Sequence, residues 1–341
     1  MLSPHAKRVI GVGSPIVDLL AEIPEAHLTV VGGEKGGMEL VDHAAMLGHI
    51  EKLPSQTRTA PGGSAANTIF AMAQFDHPAA FLGKLGEDDH ATLYHHEFAR
   101  RGGDTSRFKR NPGAPTAVCL SLITPDSQRT MRTFLGAAAT LDPHEVSVDD
   151  FRGHGHAHIE GYLAFNRDLL VAVLEAAHQA GCTISLSLGS FEVVHAAKDI
   201  LPDLLTRYVD MVFANEDEAE AFCGDADPER GLEALGAHCE TVAITLGSDG
   251  AWVRHGGQVH RAESVRAEQV VDTTGAGDLW AAGFLLGRLN GHSLEVAARF
   301  GAILGSLGVQ RVGASLDNDA AAAARALLAQ ALDDFAATAA G

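Results

Sequence analysis

Short, mostly apolar runs return along the chain with helix-patterned stretches between them, and this alternation constrains the fold more than any single motif. VIGVG at 9–13, AAFLGKLG at 79–86, AHIEGYL at 157–163, TISLSL at 183–188, MVFAN at 211–215 and TVAITLG at 241–247 read as strands. Between several of them lie stripes with 3–4 spacing. Leu169, Leu170, Val173, Leu174 and Ala177 form one such stripe, and Gly181 closes that helix. Strands that are apolar throughout need cover on both faces. The pattern therefore predicts an α/β chain with a mostly parallel sheet between helices. A length of 341 residues admits one large α/β domain with an accessory piece, or two ordinary domains.

Two segments break the rhythm. Residues 18–60 leave the first strand and rejoin the pattern only at the glycine-rich PGGSAANT. Residues 113–135 read as extended, polar and β-branched, with a turn at Pro125-Asp126. Together they predict a small β-rich flap over a site. The charge balance, 25 basic against 44 acidic residues for a net −19, argues against a nucleic-acid or anionic-membrane partner, since both need a basic face. A small molecule remains, with room for a local positive pocket. Cys119, Cys182, Cys223 and Cys239 lie far apart with no C-x-x-C pair, which reads as reduced thiols. The N-terminal MLSPHAKRVIGVG lacks a long uncharged run, so no signal peptide is expected. The alanine-rich tail, interrupted by Arg325 and Gln330, reads as a surface helix. A soluble, cytoplasmic protein is expected.

Several glycine clusters invite a nucleotide, and most fail. Gly11-Val12-Gly13 follows a strand, but Ile16 stands where a dinucleotide fingerprint needs its third glycine. The cluster from Gly32 to Gly37 lacks P-loop spacing. The strongest segment is Val271-Asp272-Thr273-Thr274-Gly275-Ala276-Gly277-Asp278, entering an apolar helix that ends at Asn290-Gly291. A Gly-Ala-Gly turn into a helix exposes backbone N–H groups at the positive end of the dipole, where a phosphate can rest. Asp278 follows in the first turn, placed to take a proton from an attacking hydroxyl or simply to stabilise its own helix. Pro61-Gly62-Gly63-Ser64-Ala65-Ala66-Asn67-Thr68 leads into a second helix. Its paired glycines let a polyol approach the backbone, and Asn67 offers donor and acceptor. Asn215 and Glu218 share a face at a helix start, an arrangement suited to water-mediated Mg2+. Thr245 through Gly250 end a strand in a tight turn.

These four segments, in this order, resemble the ribokinase-like (PfkB) family of carbohydrate and nucleoside kinases, from GSPIVD near the start to RVGAS near the end. The resemblance implies a single domain over 1–341, a Rossmann-like three-layer α/β/α body with a β-rich lid from about 18–60 and 113–135. It implies ATP and Mg2+ as donor and metal. Asp278 would be the catalytic base, and the Gly275, Ala276 and Gly277 backbone the anion hole for the γ-phosphate. Asp18 would grip acceptor hydroxyls beside Gly62, Gly63 and Asn67. Asn215 and Glu218 would organise Mg2+ and the phosphates, and Thr245, Gly247 and Gly250 would flank the nucleotide. Asp272 and Thr274, with Gly308 and Gly313, correspond to a loop for a monovalent cation such as K+. Two departures stand out: Ala91 replaces a final glycine after Gly86-Glu87-Asp88, and Ser187-Leu188-Gly189-Ser190 lacks the Asp or Asn of many relatives.

The long first excursion and the segment Gly36–Asp42 look more like the adenosine-kinase branch, which makes a nucleoside the expected acceptor. Met131 and Phe134 are expected to wall a base, with Arg129 or Arg132 near phosphates; the alternative for both apolar residues is lid core. A free sugar such as ribose, fructose or a keto-acid sugar is the second reading, and a silent ligand-binding module on the same fold the third. The lid edges leave monomer and homodimer open. His154, His156 and His158 alternate, so on a strand they would share a face; adventitious or no metal binding is expected there.

Overall fold

Val9–Val12 forms a strand at the heart of a sheet, paired in parallel with His156–Glu160 on one side and Ala79–Leu82 on the other. The computed structural model describes residues 7–32, 35–54, 56–126 and 128–340. The N-terminal residues bearing on a signal peptide, and Gly33 and Glu34 of the early glycine cluster, lie outside the described residues. Among the latter, the sheet has eight strands in the order Gln258–Ala262, Ala251–His255, Thr241–Thr245, Met211–Asn215, Thr183–Ser187, His156–Glu160, Val9–Val12 and Ala79–Leu82. It is parallel apart from the final hairpin, Ala251–His255 with Gln258–Ala262, at one edge.

Helices cover both faces, as the wholly buried strands require. Ser64–Gln74, Ala276–Leu289 and Leu294–Gly308 pack one face through Ile69, Phe70, Leu279, Phe284 and Ile303. Arg167–Gln179, Leu201–Tyr208 and Pro228–Gly236 pack the other through Leu170, Val173, Leu174, Leu205 and Leu232. The result is a three-layer α/β/α body. Parallel pairing brings the C-terminal ends of the strands to one rim, the place where such sheets bind ligands. Glu160, Ser187, Asn215 and Thr245 stand there.

The segments that break the alternation form a second sheet of five strands, ordered Met38–Leu40, Arg129–Phe134, Ala117–Ile123, Ile16–Glu22 and Arg58–Gly62. Its alternation separates two faces. Val17, Leu19, Val118 and Leu120 are buried with Met46 of the helix His43–Glu51 in one core. Asp18, Cys119, Thr133 and Leu40 stand opposite one another across four strands, on the other face.

Three local expectations change. The run 79–86 is two strands, because the chain turns at Gly83 and Lys84–Leu85 pairs instead with Lys109–Arg110. The run 157–163 leaves the sheet after Glu160 as a 3-10 turn, where Gly161 lies against the backbone of Ser187 and Leu188. The strand takes His156 and His158 but not His154, whose Nδ1 lies 3.3 Å from the Phe151 carbonyl. Hydrogen-bond bookkeeping sets both strand tautomers. The Thr183 hydroxyl donates to the Gly155 carbonyl, so it accepts from His156 Nδ1. His156 Nε2 then accepts from the Ser185 hydroxyl, which in turn accepts from His158 Nδ1. Burial holds both rings neutral, pushing His158 down to about 4 and His156 well below the ordinary histidine value. Among the described residues no group of His, Cys, Asp and Glu is placed to hold a metal ion, and no helix is long and apolar enough to cross a membrane.

Candidate active site

Two helix starts meet above the rim. Gly275 caps the helix Ala276–Leu289 in the left-handed region, φ 72°, and a Cβ there would run into Ala314. The Ala276 N–H is turned back to the Thr273 carbonyl at 3.1 Å. That removes Ala276 from the expected anion hole. It leaves Gly277 and Asp278, whose first-turn N–H groups have no acceptor within the helix.

The Asp278 carboxylate is held by the other helix. Ser64 Oγ donates to Oδ1 and Asn67 Nδ2 to Oδ2, both at 2.8 Å, while Thr68 Oγ1 donates to the Asp278 carbonyl at 3.0 Å. Ser64, Asn67 and Thr68 are spaced by three and four residues and so share one helix face. Asn67 is thus a partner of the carboxylate, where an acceptor-binding role was expected. Burial raises Asp278 to about 6, and the two donors oppose the rise.

Asp18 lies across the cleft beside Gly62, where any Cβ would collide with its carboxylate. The Tyr94 hydroxyl donates to the Gly62 carbonyl at 2.9 Å and fixes that loop. Gly63 has φ 100°, and a Cβ on it would meet the Ser14 carbonyl. Burial raises Asp18 to about 7; Arg129 opposes this, and Asp272 and Asp278 add to it. A further carboxylate, Glu160, accepts from Ala65 N at 3.2 Å and Ser14 N at 3.4 Å. Burial raises it to about 7 as well.

Asn215 and Glu218 form a reciprocal cap. Glu218 N–H donates to Asn215 Oδ1 at 2.8 Å, and Glu218 Oε2 and Oε1 accept from the Asn215 backbone and amide nitrogens, each at 3.1 Å. Glu218 is buried and raised to about 7 by that burial, with the charge of Asp278 contributing. Each of its oxygens keeps acceptor capacity, which fits a hydrated Mg2+ better than a bare one. Asn215 faces Thr245 across neighbouring strands. Gly247 and Gly250 shape the hairpin turn that follows, where Leu246 N–H reaches the Gly250 carbonyl at 2.8 Å.

The expected base wall divides. Met131 lies on the Asp18 face, paired with Ser121 and Met38. Phe134, an odd number of residues on, points to the other face and stacks on His43 at 5.0 Å between centroids. Arg132 shares that far face. Its guanidinium donates to the Met131 and Gly32 carbonyls and pairs with Glu39, so it is not near a phosphate site. Arg129, on the cleft face, pairs with Asp272.

The expected cation loop is also differently occupied. Asp272 Oδ1 accepts from Thr274 N at 3.0 Å, and Oδ2 from Gly313 N at 2.7 Å and from Arg129. The Gly308 carbonyl accepts from Arg311 N at 3.2 Å, and the residue packs against Leu279. A carboxylate ringed by three N–H donors does not fit a metal cation. Ser64, Thr68 and Glu160 were missed from sequence; only the spacing of three and four residues from Ser64 to Asn67 and Thr68 could have flagged the first two.

An open groove of about 420 Å3 lies at the Met38–Leu40 edge of this sheet, lined among others by Leu40, Val41, Thr133, Phe134 and Ala139. Leu40 and Thr133 belong to the cross-strand row that contains Asp18.

Residues 38–321 match the family described as pfkB family carbohydrate kinase. Adenosine kinase from Sinorhizobium meliloti is 33% identical, with a TM-score of 0.85 over 94% of this chain and 99% of that one. Among curated proteins, 2-dehydro-3-deoxygluconokinase of Bacillus subtilis is 30% identical over 74% of this chain and 81% of its own length. Adenosine kinase of Saccharomyces cerevisiae is 26% identical over 91% and 97%. With the family's fold beneath it and its glycine-rich motifs converging on one cleft, the chain belongs to the pfkB family of carbohydrate kinases and is a kinase of nucleoside or sugar type.

Proposed function

We propose that the protein transfers the γ-phosphoryl group of ATP to the primary hydroxyl of an adenosine-like nucleoside. The observation that carries this reading is the apolar groove at the far end of the cross-strand row that contains Asp18. Thr133 lies two strands from Asp18, roughly 10 Å away at ordinary strand spacing, which is about the length of a nucleoside. With Asp18 gripping ribose hydroxyls, the base falls against Leu40 and Val41, with Met131 on the same face. A free sugar has no base to place there. The likeness to a protein named adenosine kinase supports the same reading.

The chemistry follows from Asp278. Raised to about 6, it is ionised at neutral pH yet basic enough to take the hydroxyl proton as the oxygen attacks phosphorus in line. The new O–P bond forms as the bond to ADP breaks, and the bonding pair leaves with ADP. N–H groups of Gly277 and Asp278 face the oxygens of the transferring group. Mg2+ supplies charge neutralisation on the nucleotide phosphates, and Glu218 with Asn215 would hold it through water. Thr245, Gly247 and Gly250 border the nucleotide at the same rim. A cytoplasmic setting, where ATP is available, belongs to this reading.

A free-sugar acceptor is the second reading, favoured by Glu160, an additional carboxylate bonded to the first turn of the helix after Gly63. The test is ADP release from ATP and Mg2+ across a panel of nucleosides and free sugars. Turnover with nucleosides supports the proposal; turnover confined to ribose, fructose or a keto-acid sugar replaces it with the second reading.

A further inference from the structure

The loop that precedes Asp278 is held by an internal cation. Arg129 and Asp272 are 9% and 7% exposed, so their ion pair is shielded from solvent and salt. Arg129 comes from the five-stranded sheet and Asp272 from the loop running into Gly275, 143 residues later in the chain. The carboxylate also accepts from Gly313 and Thr274, so one group ties together three separate stretches of backbone. Arg129 acts on Asp18 too, drawing its pKa down against burial. A guanidinium cannot be neutralised at any physiological pH, and its planar fork suits a carboxylate.

We propose that Arg129 does the work of a monovalent cation in this protein. Its guanidinium is the permanent counter-ion of Asp272, it orders residues 272–277, and turnover is therefore indifferent to K+. Arg129 is a positioning residue here; it orders the N–H groups beside Asp278 through Asp272. The consequence for turnover rests on the kinase reading, but the consequence for stability does not.

The experiment compares potassium, sodium and tetramethylammonium chloride at equal ionic strength. It follows the melting temperature of the ligand-free protein, ATP affinity by calorimetry, and ADP release with whichever acceptor is turned over. For the wild type all three are expected to agree across the salts, turnover within about twofold, because an ion that does not bind the native state cannot stabilise it. A rise of about tenfold in turnover, or a clear rise in melting temperature, specific to potassium would overturn the proposal. Arg129→Ala should melt lower and lose roughly tenfold to a hundredfold in turnover, since it leaves a buried charge unpaired. Potassium should then restore part of both. Arg129→Lys, which keeps the charge without the fork, should fall between and stay indifferent to potassium. An Arg129→Ala protein with unchanged melting and turnover would refute the role, and if it does not fold, the wild-type salt series decides alone. Absence of ADP release with every acceptor would count against the kinase reading, while the melting and calorimetric series would still report on Arg129.

Discussion

Replacing Asp278 by Asn separates two things this carboxylate does: it is a base for the reaction and a charge placed where charge is unfavourable. Its pKa rises from 3.8 to about 6 on folding, the net of burial against the Asn67 and Ser64 donors. Two units correspond to about 3 kcal/mol at neutral pH, and solvent reaching the half-buried group reduces this to about 1–2 kcal/mol. The sign follows from proton binding. A carboxyl raised in the folded state contributes stability below its unfolded pKa, and that contribution is lost as pH rises through about 6. Asp278→Asn removes the charge while its amide oxygen still accepts from Ser64, and Asn67 turns its own amide over to match. The variant should therefore melt about 2–4 °C higher than the wild type at pH 7.5, with the difference fading toward pH 4. Turnover should fall by about 100-fold to 10,000-fold, the usual worth of a general base, with ATP affinity changed little. Calorimetric melting at several pH values and a steady-state assay of ADP release check both halves. Turnover within a few-fold of wild type would refute the base. A lower melting temperature at pH 7.5 would refute the claim that burial outweighs the two donors.

Three further outcomes test the surrounding geometry. Turnover in the wild type should have an acid limb near pH 6, and Ser64→Ala, which removes a donor that lowers the Asp278 pKa, should move it up by about half to one unit; a pH–rate profile with an unmoved limb would show that Ser64 does not tune the base. Gly62→Ala should push the Asp18 carboxylate out of place and raise the acceptor KM by about tenfold or more, with circular dichroism unchanged. Leu40→Asn lies on an exposed edge strand, so the fold should survive; the nucleoside KM should rise by about fivefold to tenfold, and an unchanged value would mean that the base lies elsewhere.

Much of the fold is legible in the residues because it depends on local periodicity. Runs such as MVFAN and TVAIT are apolar on both faces and so call for a covered parallel sheet, and they become its strands Met211–Asn215 and Thr241–Thr245. The second sheet takes its strands from 16–62 and 117–134, which overlap the interrupting segments 18–60 and 113–135 without sharing their bounds. Gly275 could be read as a helix entry because a turn into a helix there calls for a residue tolerant of the left-handed region. Even the division between Met131 and Phe134 was available, since an odd separation within one strand places two side chains on opposite faces.

What sequence could not supply are pairings between distant segments. Ser64 belongs beside Asp278 only because two helices meet end to end above the rim, 214 residues apart in the chain. Glu160 reads as the polar end of an apolar run, and only strand order brings it to Ala65 and Ser14. Asp272, matched by motif to a cation loop, meets Arg129 because the second sheet folds over it. Local spacing determines which residues share a strand or a helix face. Which charges share one low-dielectric cleft, and hence which carboxylates rise toward neutrality and which is neutralised by a guanidinium, depends on distances between remote segments that only the tertiary structure sets.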